Sequence, residues 1–559
     1  IPGHSKSLNV DAEGTAYIDD FENSQSPIDL RNSMSWYLAS TPQDPTLFPE
    51  GLLNNDIRYG FNRALMSWYF INSDFQRNTA YAPSHISDED REEPYVREIS
   101  INEIFPDKDI PNGQPLRLRT FDLAFYPEER GPYNFDVEGG DYSNGISEDG
   151  TLLAPETRWG GVVRKLDNND FEVANIEFLE FWMMDPFIEN PSDPGGDFYI
   201  NLGSVSEDIL KDSRKSYENG LPIDGGDDNV DTTAWGRVPS VQALVTAFNS
   251  GESARDNQDV GIDGLDDEME RNFIPFNSLE SRSYLDRIRE SFGEQSDAFL
   301  KANEDPSGDN FHFFYGSDYD AEKKSILDRY KKYNGLDGNA PMNNVSQASY
   351  SQLPDVEDIN SDYTLSESES YFQYRIRLEP DSLLEVGQNF ITSIIENAGP
   401  NNDTRWIQFK VPIRDYENKI GSIPDFKSIR FMRMFMKGFT APTVLRFATL
   451  DMVRGEWRKY LNSLASPNVP EGEGTSFDIS VVNLEENGRR DPINYVLPPG
   501  INRDRVLGST ATQQLNEQSM SFRVCDLQNG DARGAFKNVT MDMRSYNKIK
   551  FFVHVEEKN

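Results

Sequence analysis

The 559-residue chain has one cysteine, four histidines and no long apolar run. Cys525 alone cannot form an intramolecular disulfide, and a chain this large needs none, so cysteine usage leaves the compartment open. No stretch approaches the roughly 20 apolar residues of a membrane helix, and no charged-then-apolar leader opens the chain. It begins Ile1-Pro2-Gly3 without a methionine, so a longer parent chain is expected. His4, His85, His312 and His554 lie far apart and outside any H-E-x-x-H pattern. Neither a G-x-S-x-G elbow nor a phosphate-binding loop occurs. Positive charge is also scarce: 54 Lys and Arg face 95 Asp and Glu, a formal net charge of -41. That balance excludes nucleic acid as a partner and disfavours anionic lipid. It suits a well-solvated surface that attracts divalent cations. Among so many acids, a carboxylate pair at glycosidase spacing carries no information. The chain is therefore expected not to be an enzyme. His554, between Val553 and Val555, reads as a structural strand residue, and Cys525, after Val524, as a small buried side chain.

Aromatics are abundant, with 35 Phe, 24 Tyr and 7 Trp, and 39 Gly with 32 Pro make turns frequent. Stiff, flat side chains fill a pleated surface well, so the chain reads as mostly β. Three segments share one pattern: a strand, a short acidic connection and an Ile-x-Phe strand. The first runs from Arg158-Trp159 past Asp170 to Ile176–Trp182. The second runs from Arg405-Trp406 past Asp425-Phe426 to Ile429–Phe435. The third runs from Arg533 and Phe536 past Asp542-Met543 to Ile549–Val555. The first two also match further out. Asp19–Glu22 precedes Ser35–Leu38 as Glu357–Asn360 precedes Tyr371–Tyr374, and Phe198–Leu202 follows as Val444–Ala448 does.

Alternating strands between turn signals predict several jelly-roll-like β-sandwich domains. The expected division is a first sandwich over 1–210, a helical and loop insertion over 211–350, a second sandwich over 351–465 and a third, truncated one over 466–559. In the insertion, Val241–Phe248, Ser278–Ala302 and Ala321–Tyr333 have helical character, with Leu279, Tyr284, Ile288 and Phe292 on one stripe. Ser87–Glu93 and Ser466–Gly474 read as loops.

The strongest candidate site is the acidic run from Asp259 to Glu270. In EF-hand positions, Asp259 is first, Asp263 fifth, Gly264 the sharp turn, Leu265 a carbonyl ligand, Asp267 ninth and Glu270 the bidentate twelfth. Calcium takes six to eight hard oxygens, and this spacing wraps them around one point. Position three is Gly261, which offers no side-chain oxygen, so water or another segment must fill in. No convincing amphipathic helix precedes the run. A solvated acidic turn is the competing reading. The stretch Asp224–Asp231 follows no fixed template and reads as a charged loop.

Several unusual strings resemble the SprA/Sov family of type 9 secretion translocons. They include Tyr59-Gly60-Phe61-Asn62-Arg63-Ala64, Asp122–Pro127 leading into Glu129–Asn134, Ile176–Phe187, Leu202–Ile209, Pro498–Ile501, Asn516–Ser519 and Gly530–Arg533. The resemblance implies a giant outer-membrane β-barrel that passes folded cargo to the cell surface, in secretion and gliding motility. This chain would be a non-barrel part, expected in the extracellular cap, with the remainder of the same polypeptide forming the barrel. Implied partners are secreted cargo, a PorV-like shuttle barrel and a plug protein. The alternative is a secreted, calcium-dependent carbohydrate-binding sandwich, with Trp36, Trp159, Trp182, Trp406 and Trp457 as candidate platforms.

Overall fold

A computed structural model describes residues 25–333 and 353–455, apart from 109, 111–114, 252–253, 276–280 and 402, together with shorter stretches on either side. The fold is mostly β. The strands are β1 (Gln25–Asp29), β2 (Tyr37–Leu38), β3 (Ala64–Tyr69), β4 (Phe121–Arg130), β5 (Trp159–Lys165), β6 (Ile176–Met184) and β7 (Gly196–Ser204). After the insertion come β8 (Ser370–Leu378), β9 (Ile391–Ala398), β10 (Thr404–Pro412), β11 (Asn418–Ile420), β12 (Phe431–Lys437) and β13 (Thr443–Gly455).

These strands make two antiparallel sheets. One has the order β9-β10-β6-β13-β4-β3, with β1 also paired to β13; the other runs β11-β8-β7-β12-β5-β2. The sheets face one another across a common apolar core. Phe181 on β6 meets Phe198 on β7 with centroids 6.4 Å apart, and Phe198 meets Phe447 on β13 at 6.0 Å. Each such pair adds contact energy beyond the area it buries.

The spans 1–210 and 351–465, expected as separate sandwiches, build the same two sheets. β6 lies between β10 and β13, and β12 lies between β5 and β7. The repeat read from the sequence is present, but its copies interlock. The first copy visits the second sheet, the first and the second again (β5, β6, β7), while the other copy visits them in the opposite order (β10, β12, β13). The registers match as well. Trp159 pairs with Lys437 where Trp406 pairs with Met184, and Gly161 pairs with Phe435 where Gln408 pairs with Trp182. On their other sides the registers differ: Phe181 lies opposite Leu450 and Met434 opposite Ile200, four residues away from the correspondence of Phe198–Leu202 with Val444–Ala448. One copy alone would leave strand edges unpaired on both sheets; the other copy fills them.

Both outer faces are also covered. Trp159, Tyr199 and Phe435 pack with Phe48 outside one sheet, and Trp182 and Trp406 pack with Ile99 and Ile104 outside the other. Strands covered on two faces read as continuous apolar runs.

The insertion carries α1 (Ala254–Gln258), α2 (Asp267–Asn272), α3 (Tyr284–Phe292), α4 (Asp297–Glu304), α5 (Ser317–Glu322) and α6 (Ile326–Tyr330). α3 starts at a reciprocal Ser283–Asp286 cap, and Gly293 follows its end at φ +86°, a conformation that favours glycine. Tyr284, Leu285 and Ile288 join the main core, whereas Leu279 lies outside the described residues. Ser278–Ala302 is thus two helices, and Ala321–Tyr333 contains only the ends and whole of two short ones.

Val241–Phe248 is not helical. It runs as an exposed bend, with the Tyr217 hydroxyl donating to the Val241 carbonyl and Asn219 Nδ2 to the Val245 carbonyl. Those carbonyls are the acceptors a helix would have needed. Conversely, the acidic run expected as a loop forms a one-turn helix, Asp88–Glu92, nucleated by a Ser87–Asp90 capping box.

Among the described residues of 466–559, a two-stranded ribbon pairs Ser476–Asn483 with Gln518–Cys525, in place of the expected sandwich. Residues 466–474 and 549–550 lie outside the described residues, and 551–556 form no strand. His554 is exposed beside Glu556 at 3.2 Å, not a satisfied strand residue. Cys525 is half-buried at the ribbon's end.

Candidate metal centre

The acidic run folds as a compact turn held between short helices. The five-residue α1 precedes it and α2 follows, with Asp266 capping α2 by accepting from Met269 N. Between them, Gly264 sits at φ +70° and its N–H donates to the Gly261 carbonyl at 3.2 Å. The hairpin joining Val230–Thr232 to Arg237–Pro239 lies against the turn, and Arg237 N donates to the Asp263 carbonyl at 2.7 Å. From the other side, Glu218 Oε1 accepts from Val260 N at 2.9 Å and Gly261 N at 2.7 Å. The turn is therefore fixed by its backbone.

Carboxylate oxygens of Asp263, Glu270 and Asp309 all lie within 4.8 Å of one another, and all three residues are buried. Asp263 and Glu270 come from the predicted run; Asp309 comes from a turn, Asp305–Asn310, some forty residues later in the sequence. Ser307 in that turn links the other two. Its hydroxyl donates to Asp263 Oδ2 at 2.7 Å and its N–H to Glu270 Oε2 at 3.1 Å. Leu265 N donates to Asp263 Oδ1 at 3.0 Å, and the Leu265 side chain is buried beside it.

Gly261 explains how Asp309 enters. At φ +85°, a Cβ on residue 261 would stand 2.0 Å from Asp309 Oδ2. The carboxylate that position three lacks is thus supplied from the later turn, in the space a side chain would have taken. The other two sequence-predicted carboxylates are engaged elsewhere. Asp259 pairs with Arg255 of α1 at 2.5 Å. Asp267, at the start of α2, accepts from Asn310 Nδ2 at 3.0 Å and lies 3.6 Å from Arg271.

The electrostatics are those of crowded acids in a dry place. Burial, opposed by the Ser307 hydrogen bond, pushes the Asp263 carboxyl up to about 7. Burial and neighbouring carboxylates push Glu270 and Asp309 well above the usual range. Neither Asp309 oxygen, nor Glu270 Oε1, meets a donor at hydrogen-bonding geometry, although the Tyr133 hydroxyl is near enough to favour the charged form of Asp309. A buried carboxylate without partners is costly unless something positive joins it. Hard oxygen donors in this number suit calcium or another hard divalent cation. A cavity of about 20 Å³, bordered by Asp263, Glu270 and Ser307, adjoins the cluster.

Asp309 was legible only weakly. Asp305-Pro306-Ser307-Gly308-Asp309-Asn310 is an acidic Pro-Gly turn, but nothing in it names a partner run. The stretch Asp224–Asp231 is a surface turn, closed by Arg237 donating to the Gly226 carbonyl, that runs at Val230 into the first strand of the hairpin.

Fold and site together define a two-layer antiparallel sandwich whose halves interlock, with an acidic clasp at the insertion. A family model described as a motility related/secretion protein, SprA_N, matches residues 283–559. That segment, residues 283–559, belongs to the SprA family of motility related/secretion proteins. No curated protein matches the chain.

Proposed function

We propose that this chain is an architectural, non-barrel part of a type 9 secretion translocon, a cap at the extracellular face of the outer-membrane barrel, with no catalytic role. The observation that carries this reading is the family match combined with the interlock. The matched segment begins at α3 and supplies β8 to β13. Those strands cannot be separated from β2 to β7, so the earlier residues belong to the same functional unit. A rigid sandwich with both outer faces covered can narrow a wide pore by packing. Surface charge reaches only about 8 Å at physiological salt and biases contacts without sealing anything. Cargo proteins, a shuttle barrel and a plug protein are the partners this role requires.

The carbohydrate-binding alternative loses most of its platforms, because Trp36, Trp159, Trp182 and Trp406 are in the core and Trp457 is half-buried. The test is removal of this module from the parent protein in cells that secrete by this route. Surface delivery of cargo should fail or become unregulated, and antibodies to the module should label intact cells. Normal secretion, or labelling only after the outer membrane is opened, would defeat the reading.

A further inference from the structure

We propose that Asp263, Glu270 and Asp309 together bind one calcium ion, which clasps the Val260–Gly264 turn to the Asp305–Asn310 turn. The ligand set differs from the linear loop that the spacing suggests. Asp309 replaces the missing third position, while Asp259 and Asp267 are taken up by Arg255 and Asn310.

Three independent observations carry this. First, oxygens on opposite sides of a calcium ion are about 4.6–5.2 Å apart, twice the usual ligand distance, and the three carboxylates converge within 4.8 Å. Second, Asp309 is 7% exposed and neither of its oxygens meets a donor at hydrogen-bonding geometry, the Tyr133 hydroxyl being the neighbouring donor, although it is aimed into the cluster beside Asp263 and Glu270. Evolved interiors rarely leave such a group unsatisfied. Third, Gly261 leaves open the space that Asp309 Oδ2 occupies, so the backbone of the first turn is shaped around the carboxylate of the second.

The surroundings fit an ion as well. Ser307 holds one oxygen of Asp263 and one of Glu270, which orients both carboxylates. The adjoining cavity of about 20 Å³ has room for a water molecule to add a further oxygen. Protons on the carboxyls are the competing way to neutralise the cluster, and they predict indifference to calcium.

The experiment uses the full 559-residue chain, stripped with chelator and titrated with calcium. The melting temperature should rise, with half of the effect reached below about 1 mM calcium. Terbium in place of calcium should show emission sensitised by Tyr133 and by Trp235, which borders the adjoining cavity, and calcium should quench it by displacement. Asp309→Asn should lose both responses while its metal-free melting temperature stays at or above that of the parent. Asp267→Asn should keep both. The proposal falls if calcium moves neither signal in the parent chain, a result that needs no variant to fold. It falls equally if Asp309→Asn retains the calcium response, if Asp267→Asn abolishes it, or if magnesium at equal concentration reproduces it.

Discussion

In the sandwich, Phe181, Phe198 and Phe447 meet across two sheets whose strands alternate between the halves of the chain. Around the Val260–Gly264 turn, the fixing groups are buried carboxylates instead. Glu218 holds two N–H groups of that turn and a third at Asp355, and Glu357 likewise accepts from Ile209, Leu210 and Ser216. The first region gains from removing apolar surface from water, which is non-directional. The second spends burial energy to fix particular backbone atoms, and so responds to protons and ions. A chain that is acidic throughout can thus use its acids in two ways, as solvated surface and as internal struts.

The comparison breaks most visibly when the halves are parted. Residues 25–240 expressed alone should be insoluble or unfolded, because β6 and β7 lose both sheet neighbours. Co-expression with residues 353–465 should restore soluble, cooperatively melting material, and co-purification with circular dichroism reads the result. Independent folding of either half would show that the interlock is not required. Smaller, and confined to the apolar region, is Phe181→Ala. It removes the ring that touches Phe198, Phe409 and Phe447 and should cost about 3–5 kcal/mol in urea unfolding, independent of pH and calcium.

The smallest effect, a few degrees in melting temperature, belongs to the buried struts between the sheets and the insertion. Burial holds the carboxyls of Glu207 at about 7 and Asp208 at about 6, with Asp212 adding like charge to Asp208, and holds that of Glu357 well above its usual range. The folded chain therefore keeps protons that the unfolded chain releases near pH 4. This contribution to stability is complete below the unfolded values and is lost as pH rises through about 6–7. Melting should occur at higher temperature near pH 5.5 than near pH 8, and Glu207→Gln should flatten that dependence. A melting temperature that falls on mild acidification would contradict it.

What could be read from residues divides along the same line. The strands from Arg158-Trp159 and Arg405-Trp406 were legible with their acidic connections, since local pattern specifies a strand. Their exchange between sheets was not. β6, Ile176 to Met184, puts large apolar residues on both faces and one glutamate, Glu177 or Glu180, on each, so alternation could not tell which neighbour each side would meet. Val241–Phe248 had helical spacing without free carbonyls, and Ser87–Glu93 had a cap signal too short to show periodicity. In the site, Asp263 and Glu270 followed from spacing within one run. Asp309 depends on a contact across the α3–α4 pair, which no local pattern encodes.

The first and last strands of the interlocked unit carry one more implication. Gln25, where β1 starts, is the register partner of Gly455, where β13 ends. Partners in an antiparallel ladder stand only about 5 Å apart. The chain therefore enters the interlocked strands and leaves them at one spot on the rim. Beyond that spot the chain turns back onto the unit, where Arg458 donates to the Val173 carbonyl at 2.9 Å and Arg489 meets Asp107 at 3.0 Å, so the following stretch is fastened along the sandwich and moves with it.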